Sequence, residues 1–205
     1  MRKCMTCVLM MTLALTLTAC GGKEAGNEAE ELLNENRTRY LEMTCCSGHV
    51  DMTADYGERV YEYGVDFTWE KEGETLLTIT APENVAGTTA RIHKGETALE
   101  YDGVMMATGP LDSAGLTPVD AVPALLGYAR EGFLAEYALE ESGEGGKVLH
   151  AVCRDPEVDP GTGVEAQLWF APDTGALVRG EISESGFTVM QCDFTSFTMK
   201  GSEEG

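Results

Sequence analysis

Cys20 stands in a sequence context in which a cysteine thiol becomes covalently attached to lipid. It belongs to the run Leu17-Thr18-Ala19-Cys20-Gly21, which closes an apolar, uncharged stretch preceded by the basic pair Arg2 and Lys3. This arrangement is typical of a bacterial lipobox, in which the thiol accepts a diacylglyceryl group and the leader is cut before the cysteine. Because two acyl chains hold a protein stably at a bilayer, the motif predicts a lasting anchor at Cys20.

The leader also predicts where the protein resides. Its apolar core is shorter than the roughly 20 residues that a membrane-spanning helix needs, so residues 1–19 are expected to be a lipoprotein signal peptide. The mature chain would then lie on the outer face of the cytoplasmic membrane, attached through Cys20. The alternative is an ordinary secretory signal cut after Ala19, with Cys20 incidental.

The rest of the chain offers little for catalysis. It contains no nucleophile–base pair, paired carboxylate motif, Cys-x-x-Cys pair or phosphate-binding glycine loop. Asp155, Glu157 and Asp159 alternate as calcium ligands can, but Pro156 and Pro160 interrupt them and no closing acid follows. We therefore expect no catalytic residue, no metal and no cofactor, and a protein that is not an enzyme.

Four further cysteines follow Cys20, and their pairing is open. A compartment outside the cytoplasmic membrane permits disulfides, and four cysteines allow three connectivities. A bond from one of the two adjacent cysteines to a distant one is the easier geometry, because a ring between neighbours is strained. The alternative is that all four are small buried thiols. The possible disulfide partners are Cys45, Cys46, Cys153 and Cys192.

The chain is strongly acidic. It has 14 Lys and Arg against 35 Asp and Glu, a formal net charge of −21, and loss of the leader would remove two more positive charges. Nucleic-acid binding depends on cations that neutralise phosphates, and an anionic bilayer surface attracts basic segments. The composition therefore excludes nucleic acid as a partner and favours membrane contact through the lipid anchor alone.

Periodicity divides the mature chain into helices and strands. Apolar residues at helical spacing after Asn27 predict a helix over 27–43, and Thr117-Pro118 starts a second helix that ends at Gly132. Strands are expected near 135–141, 147–154, 164–171, 176–183 and 187–197. Asp173-Thr174-Gly175 and Ser185-Gly186 are the expected turns between the last of these strands. Earlier hairpins are expected to turn at Lys94-Gly95 and Asp102-Gly103.

The clearest strand carries an aromatic face. Over residues 61–69 apolar side chains alternate with polar ones, and a returning strand continues the pattern until Pro82. Such a face either packs beneath helices as core or lines a cavity that accepts acyl chains or a partner's apolar segment; both interpretations stay open. The cavity-lining candidates are Tyr61, Tyr63, Val65, Phe67, Trp69, Leu77 and Ile79.

These elements predict an α+β fold that is mainly β. A long antiparallel sheet twists and curls, so we expect a curved antiparallel sheet, an incomplete barrel, with two helical segments as a lid over its concave apolar face. Residues 20–26 are expected to be a flexible tether, 27–199 a single domain, and 200–205 a polar tail.

The order of elements resembles the LolA/LolB-like family of envelope proteins that handle lipoproteins. The likeness lies in the aromatic strand beginning at Tyr63, the apolar strand closed by Pro82, and the strand ending at Tyr101 before the Asp102-Gly103 turn. The segment Leu168 to Gly175 is similar to the family's late hairpin. A lipid-anchored member with a glycine after the cysteine is nearest to the GerS type of germination and sporulation lipoproteins of Firmicutes.

The resemblance implies a binding role. A GerS-type protein would act through a protein partner in the cell envelope, such as a cell-wall amidase, in spore germination or sporulation. A LolB-like protein would instead accept acyl lipid or lipoprotein on the concave face. A purely structural envelope lipoprotein is a further alternative. A permanent anchor at Cys20 departs from the soluble carriers of the family and favours holding over transport.

Overall fold

The computed structural model describes residues 21–112, 114–143 and 146–201. The predicted signal peptide, Cys20 and the last four residues lie outside them. Within this part of the chain the elements are α1 (Gly21–Glu42), β1 (Cys45–Asp55), β2 (Val60–Glu70), β3 (Thr75–Ala81), β4 (Thr89–His93), β5 (Glu96–Tyr101), β6 (Val104–Pro110), α2 (Ala121–Glu131), β7 (Leu134–Glu141), β8 (Lys147–Arg154), β9 (Val164–Phe170), β10 (Leu177–Glu184) and β11 (Phe187–Lys200).

The strands form one antiparallel sheet that does not close. Their order is β6-β5-β4-β3-β2-β1-β11-β10-β9-β8-β7, so β6 and β7 are its two edges. The chain builds outward from β1 in one direction, crosses through α2, and returns from the far edge to pair β11 with β1. The predicted fold class, an incomplete barrel with two helices, is confirmed.

The strand β1 is the element that the sequence pattern did not reveal. It pairs with both β2 and β11 along most of its length and joins the two halves of the sheet. Val50, Met52 and Ala54 alternate inward and are fully buried or nearly so. The clear alternation is short, because Gly48 and the consecutive Cys45 and Cys46 interrupt it at the start of the strand.

Helix α1 closes one end of the curved sheet. It begins at Gly21, within the segment for which the sequence predicted a tether, and ends one residue before the predicted boundary. Its buried side includes Ala29, Leu33 and Tyr40. The Tyr40 hydroxyl donates to the Gly175 carbonyl oxygen at 3.1 Å, which ties the helix to the turn between β9 and β10.

Helix α2 lies inside the concave face. Pro123 falls in its first turn, where the N–H that proline lacks would have no intrahelical partner. Leu125 and Leu126 are fully buried, and α2 approaches β10 so closely that a Cβ at Gly180 would lie 2.6 Å from a Leu125 methyl group. A glycine at this point is what allows the helix to sit against the strand.

The two helices are joined into one lid. The Arg37 guanidinium of α1 donates to the carbonyl oxygens of Arg130 at 3.2 Å and of Gly132 at 2.6 Å. These carbonyls belong to the last turn of α2, where intrahelical partners are missing and a cation is favourable. Over the described ranges, neither helix has both the length and the apolar character of a membrane span.

The register defines two ends of the barrel. The start of β1, the β2–β3 turn and the β7–β8 turn lie at one end, which we call the anchor end. The β1–β2 and β10–β11 turns lie at the other, the distal end. Helix α1 spans the anchor end, because Glu28 near its start pairs with Lys147 at 2.9 Å and Leu41 near its end accepts from Lys71.

Candidate functional site

The seven cavity-lining candidates differ in burial along the barrel. Phe67, Val65 and Leu77 are almost fully buried, Tyr63, Trp69 and Ile79 are half-buried, and Tyr61 is 38% exposed. The predicted face of β2 is therefore the concave one. The covered part lies beneath the helices, and the aromatic strand emerges from under them at the distal end.

Four of the candidates line a cavity beneath the segment that precedes α2. Tyr63, Val65, Leu77 and Ile79 surround it, and the remaining wall is formed by Thr88, Ala90, Leu99, Pro118 and Val119. Its volume is about 40 Å³, whereas sites for small molecules usually measure about 300–1,000 Å³. In this conformation the concave face has no room for an acyl chain here.

Phe67 and Trp69 do not reach that cavity. Phe67 packs edge-on against Phe194, with ring centroids 5.8 Å apart, and the Arg130 guanidinium lies 5.2 Å from the centre of the Trp69 ring. Arg130 belongs to α2, so the helix covers this part of the face directly. These two aromatic residues act here as core under the lid.

An apolar surface instead lies open at the distal end. We call Tyr56, Tyr61, Leu116 and Phe187 the distal patch. Tyr56 and Phe187 are 47% and 46% exposed, and with Leu116 they line an open groove of about 430 Å³. Tyr61 joins the patch through Tyr56, with ring centroids 6.3 Å apart.

The patch is held in place by local contacts. The Tyr56 hydroxyl donates to the Leu116 carbonyl oxygen at 3.2 Å, and Tyr61 stacks on Tyr63 at 6.4 Å. The pKa of the Tyr56 hydroxyl is raised, chiefly by partial burial and to a smaller extent by the neighbouring Tyr63. The Tyr56 hydroxyl therefore keeps its proton and remains a donor. A fixed aromatic surface loses little conformational freedom when a partner covers it.

The surroundings of the patch are acidic. Asp55 and Glu184 line the same groove, and Glu58 and Glu62 follow in or next to the β1–β2 turn, with Arg59 as the cation of that turn. An aromatic centre with a charged rim is the usual anatomy of a protein-binding surface. The sign of this rim favours a partner with a basic surface.

The distal patch and the predicted anchor lie at opposite ends of the domain. Strand β1 runs from the anchor end to the patch over 11 residues, which corresponds to roughly 36 Å of extended chain. The beginning of α1, next to the position of Cys20, is at the anchor end. A lipid at Cys20 would therefore leave the patch facing away from the bilayer.

The sequence alone did not reveal the distal patch. Of its residues only Tyr61 was a candidate. Tyr56, Leu116 and Phe187 come from the β1–β2 turn, the segment before α2 and the β10–β11 hairpin, which are far apart in the chain. The one signal was a large apolar side chain directly beside a glycine turn, as in Tyr56-Gly57 and Gly186-Phe187, where exposure is expected.

The four candidate disulfide cysteines are all free thiols in the structure. Cys45 and Cys46 are consecutive in β1 and point to opposite faces. Cys192 of β11 lies opposite Met52 of β1. Met52 is six residues from Cys46 along β1, so the two cysteines are separated by roughly 20 Å. Disulfides need Cα atoms within about 7 Å, so this pairing is not available to the fold.

Cys153 is also distant from Cys192. Cys153 lies opposite Ala166, Ala166 opposite Ile182, and Ile182 opposite Met190, which is two residues from Cys192. Three strand spacings correspond to roughly 14 Å across the sheet. Burial raises the pKa of Cys153 to about 11 and that of Cys46 to about 12, and it raises the pKa of Cys192 as well. These distances favour the alternative of free thiols, which are buried at Cys46, Cys153 and Cys192 and half-buried at Cys45.

We expect the free energy of unfolding to fall as pH rises above about 8.5. An unfolded thiol ionises near that pH, while the buried thiols stay protonated until about pH 11 or 12, so the unfolded state loses protons first. Each buried thiol then costs about 1.4 kcal/mol per pH unit. Urea unfolding at pH 8 and 10 measures this loss, and Cys192→Ala is expected to make it smaller.

The same thiols can be counted directly. A thiol-specific chromophoric reagent should label all four described cysteines in denaturant without reductant, and in the folded protein only half-buried Cys45 should react rapidly. Fewer than four labelled thiols in denaturant would mean that a disulfide forms and would contradict free thiols at these positions.

The polar clusters of the outer face have no metal-site geometry. Within the described residues, no three His, Cys, Asp or Glu side chains converge as metal ligands. His150 contacts Glu140 at 2.7 Å and stacks on Trp169 with ring centroids 4.5 Å apart, and Arg179 covers the Trp169 ring at 5.6 Å. This cluster ties β7 to β10 across the sheet.

Comparison with known proteins yields similar structures only. No protein-family model matches the sequence, and no curated protein matches it. Solved structures with a similar arrangement include LprF from Mycobacterium bovis, with 16% identity, 87% and 95% of the two chains covered and a TM-score of 0.47. A LolA superfamily protein from Nitrosomonas europaea has 14% identity, coverage of 84% and 93%, and a TM-score of 0.42.

A third similar structure is a complex. It is that of the CwlD amidase with the GerS lipoprotein, from Clostridioides difficile, with 13% identity, coverage of 83% and 95%, and a TM-score of 0.40. At such identities no residue can be carried from these proteins to this chain. The similarity is one of overall arrangement.

Proposed function

We propose that this protein is a membrane-tethered binding module of the cell envelope, and not an enzyme, that engages a protein partner through the distal patch. The supporting observation is the contrast between its two apolar faces. The concave face is covered by the chain's own helices, leaving a cavity of only about 40 Å³. The distal patch is exposed, aromatic and at the end away from the proposed anchor.

The chemistry of the patch defines the partner. Tyr56, Tyr61 and Phe187 are residue types enriched where proteins bind one another, and the acidic rim fits a basic surface around an apolar centre. A cell-wall amidase is the partner class that the sequence resemblance suggests, with spore germination or sporulation as the process. The tether would hold that partner near the outer face of the cytoplasmic membrane.

Site-specific photo-crosslinking tests this proposal in the native cell. A benzophenone amino acid replaces Phe187, and a matched control replaces Tyr137 on β7, which is aromatic and similarly exposed at 41%. We expect a discrete protein adduct from position 187 that is lost when Tyr56 and Tyr61 are changed to serine. Equal labelling from both positions would contradict the patch as the binding surface.

The cavity favours a second candidate function, an acceptor of acyl lipid or lipoprotein. Its wall is apolar, and Pro118 and Val119 close it from the segment between β6 and α2. That segment would have to move outward to admit a chain. It is held by Leu116, whose carbonyl oxygen accepts from the Tyr56 hydroxyl at 3.2 Å, and by Leu111, whose N–H donates to the Gly95 carbonyl oxygen.

A further inference from the structure

Strand β6 is an unusually exposed edge of the sheet. Val104, Met105 and Met106 are 68%, 60% and 66% exposed. Met106 lies opposite Leu99 of β5, and Leu99 lies opposite buried Ala90 of β4. Met106 is therefore the last residue of a row of cross-strand apolar neighbours on the concave face. The apolar face of the sheet thus continues past the lid and ends uncovered at this edge.

The backbone of β6 is ready to pair with another strand. The turn Asp102-Gly103 has positive φ at both residues, 50° and 76°, and joins Tyr101 directly to Val104. In a two-residue hairpin of this type the flanking residues form a hydrogen-bonded pair, and bonded and non-bonded pairs then alternate. The N–H and C=O groups of Met105 and Ala107 therefore point away from β5. Within the described residues, no strand lies beyond them.

Charge distinguishes this edge from the other one. Strand β7 carries Glu136, Glu140 and Glu141, and carboxylates on an edge strand discourage pairing with a copy of the same chain. Strand β6 carries no charged residue. In a chain of net charge −21, an uncharged strand is where two copies can approach with the least repulsion.

We propose that two copies of this chain pair through β6, antiparallel, about a two-fold axis at Met106. Met105 of each copy then lies opposite Ala107 of the other, and their outward groups form four hydrogen bonds. Met106 faces Met106 across the axis and Val104 faces Thr108, so exposed apolar side chains from both copies cover one another. The strand is self-complementary, which a two-fold interface requires. The inference does not depend on the distal patch.

Sedimentation equilibrium tests the pairing on the chain from Gly21 onward, which retains every described element. We expect twice the chain mass at high concentration, and tighter association as salt screens the acidic surfaces. Met106→Lys places like charges face to face and should raise the dissociation constant at least about tenfold. Tyr137→Lys, the matched change on the other edge, should leave it unchanged. Monomer mass at the highest soluble concentration, or an unaffected Met106→Lys dimer, would overturn the proposal.

Disulfide trapping tests the register. At the two-fold axis Met106→Cys brings two thiols together with Cα atoms about 4.5 Å apart, within disulfide range. Val104→Cys is equally exposed but faces Thr108 instead of itself. Mild oxidation should link the Met106→Cys protein into a covalent dimer and leave most of the Val104→Cys protein monomeric. Equal linkage of the two variants would contradict the register.

Discussion

Replacing Phe67 by alanine is expected to lower the free energy of unfolding by about 3–5 kcal/mol, the usual cost of removing a buried aromatic side chain. Phe67 is 2% exposed, and its ring contacts those of Phe194 and Phe197 at centroid distances of 5.8 and 5.9 Å. Truncation leaves a cavity between side chains of β2 and β11 above β1, and these strands cannot close it because β1 pairs with both of them. Thermal unfolding should shift down by roughly 6–20 °C.

Tyr61→Ala is the matched control for Phe67→Ala. Tyr61 lies on the same face of the same strand but beyond the lid, and its change should cost less than about 1 kcal/mol. Comparing the stability losses of the two variants distinguishes a concave face covered by the helices from one that is open to solvent. Similar, small losses for both variants would mean that Phe67 lines an open cavity and that the helices do not pack as described.

Changing Cys20 to alanine is expected to release the protein from the membrane completely. The proposed diacyl anchor holds the chain stably only while both acyl chains are attached, and a strongly acidic chain is repelled by an anionic bilayer. Fractionation after a carbonate wash should move the protein from the pellet to the soluble fraction. Cys7→Ala, within the predicted signal peptide, is the control and should stay in the pellet.

Retention of the Cys20→Ala protein in the membrane pellet after the wash would contradict the anchor hypothesis. Release of both cysteine variants would point instead to a general defect of the leader. The structure adds one constraint to this expectation, since α1 begins at Gly21. If Cys20 carries the lipid, little free chain separates the bilayer from the domain, and the anchor end should lie close to the membrane surface.

Much of the fold could be predicted from the sequence because local rules determine it. The alternation in β2 predicts its buried face, and turns such as Lys94-Gly95 and Ser185-Gly186 require positive φ at both residues, which glycine tolerates. Strand β1 was missed because only Val50, Met52 and Ala54 alternate clearly, while Gly48 and the consecutive Cys45 and Cys46 interrupt the pattern at the start of the strand. Its position depends on pairing with β2 and β11, which no local pattern encodes.

The candidate site was less predictable, for two physical reasons. A packed core and an open cavity need the same inward-facing residues, so the pattern in β2 could not tell them apart. The distinction depends on Arg130 of α2, which covers Trp69, and on the β11 rings that pack against Phe67. The distal patch depends on turns that only the sheet register brings together. The oxidation state of Cys46, Cys153 and Cys192 likewise depends on distances across the sheet that spacing along the chain does not give.

The central claim is that this chain fills its own concave face and binds partners on its outside. Native mass spectrometry of the chain from Gly21 onward, expressed without its leader and purified without detergent, tests this claim most directly. We predict the mass of the polypeptide, as monomer or dimer, with no lipid adduct, because the cavity beside Val65 and Leu77 measures about 40 Å³. A stoichiometric acyl-lipid adduct that Val65→Trp abolishes would contradict the claim and assign the concave face to lipid.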